Sequence, residues 1–69
     1  MAARDPRVDP KLGDVLRKDG RDRTVQKCVS YGPFRDVDIH YYCDRHSCSI
    51  FLRNWRKWAK DAEVLHAAD

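Results

Sequence analysis

The sequence predicts a small α+β domain. Four to five short antiparallel strands form a curved sheet or close as a small barrel, with one amphipathic helix near the C-terminus. Three observations carry this. Residues 51–62, FLRNWRKWAKDA, place Phe51, Leu52, Trp55, Trp58, Ala59 and Ala62 on one arc at helical spacing, and Arg53, Arg56, Lys57 and Lys60 on the opposite arc. Residues 37–43 alternate at strand spacing, with Val37, Ile39, Tyr41 and Cys43 on one side and Asp38, His40 and Tyr42 on the other. Turn signals at Lys18-Asp19-Gly20-Arg21 and Gly32-Pro33 cut the first half into short runs.

Taken in order, residues 1–11 hold the pairs Asp5-Pro6 and Asp9-Pro10 and few apolar groups, which predicts an extended, mobile tail. Residues 12–66 then form a single domain, and 67–69 a short C-terminal tail. Residues 12–18 read two ways. Asp9, Pro10 and Gly20 suit the ends of a short helix, but Gly13 would weaken it, and a strand over 14–18 is preferred. Residues 23–31, RTVQKCVSY, have strand composition, yet neither face is cleanly apolar: Val25, Lys27, Val29 and Tyr31 share one, and Thr24, Gln26, Cys28 and Ser30 the other. Residues 44–47 connect 37–43 to a returning strand at 48–50, so Cys43 and Cys48 face each other across a hairpin. Ser49 is placed to cap the helix. Residues 63–66 are long enough for a closing strand.

A chain of 69 residues buries about 60% of its unfolded surface, which leaves no room for a deep enclosed active site. No apolar run approaches the ~18 residues of a membrane span, and the first residues lack a secretory hydrophobic stretch. A cytoplasmic protein with reduced thiols is therefore expected. The net charge is +3, and the signs alternate closely except over residues 53–60, where four cations stand with no acid.

Gly13-Asp14-Val15, opening a meander of short basic strands, resembles the start of small Src-homology-type barrels and of nucleic-acid-binding barrels of the KOW kind. The resemblance covers the first half of the chain and implies a barrel that binds nucleic acid. The basic, Pro-bearing start, GDVLR, the Cys48-Ser49 pair and Trp55-Arg56-Lys57-Trp58-Ala59 together resemble short uncharacterised bacteriophage and prophage proteins. That likeness implies a genomic setting and no reaction.

Enzymatic chemistry is not expected. The sequence has no phosphate-cradling glycine loop, no HExxH and no GxSxG, and Asp36, Asp38 and His40 read as the solvent side of a strand. Cys28, His40, Cys43, His46 and Cys48 fall within 21 positions, and Cys43, His46 and Cys48 are the candidate metal ligands. Their spacing matches no zinc knuckle, so no metal or other cofactor is expected, and Cys43 and Cys48 read as small buried hydrophobes. The leading function is weak nucleic-acid binding, to DNA or RNA, by Arg53, Arg56, Lys57 and Lys60, reinforced by Arg17, Lys18, Arg21 and Arg23 around the first turn. Tyr31, Phe34 and Tyr42 are candidate stacking surfaces. The alternative is a protein-binding module that uses an aromatic patch to take a peptide, a host protein or a second copy of the chain. Monomer and homodimer are both open.

Overall fold

The computed structural model describes residues 4–68. Its elements are β1 (Val15–Lys18), β2 (Arg21–Val29), β3 (Asp38–Cys43), β4 (His46–Phe51), α1 (Leu52–Ala59) and β5 (Glu63–His66). The strands make one curved antiparallel sheet in the order β4-β3-β2-β1-β5, and the helix packs against β3 and β4. Of the two expected architectures, the curved sheet is the one adopted: β4 and β5 form its two edges and the sheet is not closed. The first segment is a strand, as preferred.

Both tight turns place two successive residues in the left-handed region, which Asp-Gly favours at the first and the arginine of the second does not. Asp19 and Gly20 have φ of 54° and 75°, and Asp44 and Arg45 have φ of 49° and 67°. Two successive residues at positive φ match the right-handed twist of the strands they join. The second turn is shorter than the expected 44–47 connection, so β4 starts at His46. The register then sets Cys43 opposite His46, and Cys48 opposite Tyr41. The expected Cys43–Cys48 apposition is corrected by two positions, and all three cysteines are free.

The mixed faces of β2 also have a structural reason. The pairing with β3 shifts between Val25 and Lys27, matching Val25 to Tyr41 but Cys28 to Ile39. The extra residue, Gln26, makes a bulge that moves the following side chains to the opposite face. Val25 and Cys28 therefore share the core side, and Lys27 joins His40 on the other.

Leu16, Val25, Ile39 and Tyr41 from the sheet meet Trp55, Ala59 and Ala62 to form the core, with Trp58, Val37, Ile50 and Val64 packed at its border. The helix ends at Ala59, three residues before the expected boundary, and Ala62 N–H donates to the Ala59 carbonyl. Its N-terminus is not capped by Ser49, which lies in β4. Asp36 does this from a distance: its carboxylate accepts from Arg53 N–H at 3.1 Å, while Leu52 N–H donates to the Val37 carbonyl at 2.8 Å. Asp36 is thus turned to the helix and does not continue the Asp38–His40 face.

Residues 4–10 are not an extended run. Val8 and Asp9 N–H both donate to the Asp5 carbonyl, which closes a turn, and Pro6 and Pro10 are buried. The turn lies across the helix, where Trp55 Nε1 donates to the Pro6 carbonyl at 3.1 Å and Arg56 Nε to the Val8 carbonyl at 2.7 Å.

Candidate basic binding surface

The eight cations expected to act together are divided by the fold. Arg56 and Lys57 of α1 and Lys60, just past its end, project to one side because Lys60 follows them by four and three residues. With Arg7, Val8 and Asp5 from the N-terminal turn, they line a shallow groove of about 410 Å³. Arg7 is held there by its Nε–H, which donates to the Ala62 carbonyl at 2.8 Å. Sequence reasoning missed Arg7, since it reaches the helix only through a contact 55 positions away. Four cations face one carboxylate in this groove, and Lys57 and Lys60 have no ion-pair partner among the described residues.

Arg53 stands apart at the helix N-terminus, its guanidinium 5.5 Å from the Phe51 ring centre. Arg17 is also separate. It grips Asp22, the residue opposite it on β2, at 2.6 and 3.2 Å, and this hydrogen bonding holds the Asp22 carboxyl below the usual carboxylate range. Its charge is matched locally.

Lys18, Arg21 and Arg23 form a second group, on the core side of the β1–β2 hairpin. They line a cavity of about 490 Å³ with Asp19, Cys43 and Trp58. Lys18 Nζ donates to the Trp58 carbonyl at 3.0 Å, and Arg21 lies 3.6 Å from Asp44. The Arg23 guanidinium is layered between two rings, 4.4 Å from the centre of Tyr41 and 4.0 Å from that of Trp58. This cavity and the helix groove share no lining residue.

The aromatic candidates are placed unequally. Phe34 projects fully into solvent, while Tyr31, on the same loop, is half-exposed under the Arg35 guanidinium at 4.8 Å. Tyr42 lies on the sheet face away from the helix, opposite Ser47. Trp55 is wholly buried and Trp58 half-buried, so the tryptophans complete the core and do not form a surface patch.

For the metal candidates, Cys43 and His46 are cross-strand neighbours, and Cys48 pairs with Tyr41. Among the described residues, no group of three or more His, Cys, Asp or Glu is placed to hold a metal ion. Cys43 is half-buried, whereas Cys48 is exposed on the edge strand, contrary to its reading as a buried hydrophobe. Cys28 is exposed as well, but its Sγ donates to the Pro10 carbonyl at 3.4 Å, and partial desolvation of the thiol, with the charges of Asp14 and Asp9, pushes its pKa up. A thiol reagent is accordingly expected to modify Cys48 first, then Cys28 and Cys43 slowly. Cys48→Ser should abolish the fast phase, and a fast phase that survives this substitution would contradict the assignment.

Among the described residues, no helix is long and apolar enough to cross a membrane. No protein family, no curated protein and no solved structure matches this chain.

Proposed function

We propose that the protein is a small non-enzymatic binding protein that holds the phosphate backbone of nucleic acid along α1. The observation that carries this reading is the groove in which Arg56, Lys57, Lys60 and Arg7 surround a single carboxylate. Binding of this kind is electrostatic and independent of sequence, because phosphate contacts position a strand without reading its bases. Arg53 extends the same helix toward its N-terminus and adds a further cation.

Four phosphate contacts give a slope of about −3 in log K against log salt. Replacing Lys57 and Lys60 together with glutamine should reduce that slope by about 1.5 and weaken binding equally for all sequences. Stability should stay within about 0.5 kcal/mol, since both side chains are exposed. Fluorescence anisotropy of labelled DNA and RNA between low and moderate salt measures both effects. Absence of any binding at low salt would rule the reading out.

A second reading rests on Phe34, whose complete exposure beside Tyr31 and Arg35 has the composition of a protein-binding anchor. On that reading Phe34→Ala abolishes partner capture, and salt has little effect.

A further inference from the structure

We propose that the cavity between the β1–β2 turn and Trp58 is a receptor for a phosphate monoester group, separate from the helix groove. The central observation is Arg23. Its guanidinium is stripped of much of its water by Tyr41 and Trp58, and its Nη1 is buried with no hydrogen-bond partner. Buried polar atoms are almost always satisfied, so such an exception calls for a cause. The two arginines of the N-terminal turn obey the rule: Arg4 reaches Asp14 and Arg7 reaches the Ala62 carbonyl. Arg23 has no carboxylate partner among the described residues.

The cations around Arg23 sharpen the point. Lys18 and Arg21 are directly opposite each other in the β1–β2 ladder, and Arg23 follows on the same face. Like charges placed opposite each other across a ladder repel. Asp19 on the lining and Asp44 beside Arg21 offset part of this charge, and Arg23 remains uncompensated. An entering dianion removes the repulsion and balances the uncompensated Arg23 charge at once. The donor set suits it: the guanidinium of Arg23 is a planar fork that fits phosphate oxygens, and Lys18 gives one proton to the Trp58 carbonyl and keeps two. A volume of about 490 Å³ admits a phosphate group with part of what carries it.

A phosphate monoester reaches such a site either as a free small molecule or at the end of a nucleic-acid strand. The test is a titration of the full chain with inorganic phosphate, followed by NMR at the Trp58 indole and the Arg23 side chain. Saturable shifts confined to the cavity are expected. Arg21→Gln and Arg23→Lys should each weaken the affinity about tenfold, because each removes a charge-assisted contact or its fork geometry. The Lys57→Gln/Lys60→Gln variant should show the parent's phosphate affinity at the cavity signals, which separates this site from the groove. A 5′-phosphorylated oligonucleotide that shifts the cavity signals more tightly than its 5′-hydroxyl form identifies a strand end. Equal affinity of a nucleoside monophosphate identifies a small ligand. Non-saturable shifts, unchanged affinity in Arg21→Gln, or acetate binding as tightly as phosphate would each overturn the proposal.

Discussion

Replacing Trp55 with alanine leaves most of the chain unfolded in water. The indole is fully buried between helix and sheet, its ring centre 5.8 Å from that of Tyr41 and 5.4 Å from that of Trp58. Removing a buried ring of this size costs about 3–5 kcal/mol, because the lost contacts and the cavity left behind add together. A single core below about 70 residues supplies no more than about 3–5 kcal/mol in total. The substitution also strands the Pro6 carbonyl, which loses the Trp55 Nε1 donor and with it one anchor of the N-terminal turn. Trp55→Phe separates the two contributions, since it keeps an aromatic ring and deletes the N–H. That variant should fold with a loss of about 1–2 kcal/mol. Far-UV circular dichroism with urea unfolding reads both. A Trp55→Ala protein with the parent's urea midpoint would mean that the helix does not dock through this ring.

The helix phase was legible because it is a local property. Trp55, Trp58, Ala59 and Ala62 recur at helical spacing, and every one of them packs into or against the core. The alternation of Ile39, Tyr41 and Cys43 and the Asp19-Gly20 turn were legible for the same reason: they depend on neighbours a few positions away. Other features depend on partners that local patterning does not name. The bulge at Gln26 is a single-residue slip against β3, and the alternation of β2 carries no mark of it. The Asp44-Arg45 turn requires positive φ from an arginine, a residue with no special preference for that region. Asp36 caps a helix that begins 16 positions later than itself, so no capping pattern at the helix start shows it. The basic surface divides along the same line. Arg56, Lys57 and Lys60 follow from helical spacing, whereas Arg7 enters only because the N-terminal turn folds back over α1.

Asp14 is the largest of these long-range features, and its substitution by alanine is expected to be as damaging as loss of Trp55. The carboxylate is completely buried at the entry to β1. It receives both arms of Arg4 at 2.6 and 2.8 Å, Lys11 N–H at 2.7 Å and Ala68 N–H at 2.7 Å. One side chain thereby joins both ends of the chain to the first strand, and Arg4 adds a hydrogen bond to the Ala68 carbonyl. Breaking a buried ion pair by deleting one partner costs about 3–5 kcal/mol, because the other charge is left without compensation. In Asp14→Ala the Arg4 guanidinium and two backbone N–H groups lose their acceptor together. Hydrogen exchange should show residues 4–11 and 66–68 unprotected before the sheet is lost.

Acid provides an independent check with a definite sign. Burial by itself raises the Asp14 pKa, but the Arg4 hydrogen bonds, the N–H groups of Ala68 and Lys11, and the Arg4 charge outweigh it and hold the carboxyl below its ordinary value of 3.8. A carboxyl whose pKa is lowered on folding binds fewer protons in the folded chain than in the unfolded chain. Its contribution to stability is therefore complete above the ordinary value and is lost as the pH falls through the lowered one. Asp14→Asn removes the titrating group with little change of shape. The difference in unfolding free energy between parent and Asp14→Asn should be constant from about neutral pH down to about pH 5, then shrink as the pH falls through and below the ordinary value of 3.8. If burial dominated instead, the parent would gain on the variant as acid is added. A difference that widens as the pH falls toward the ordinary value of 3.8, and levels off below it, would therefore show a desolvated carboxyl without effective partners, and the fastening of the two chain ends through Asp14 would have to be abandoned.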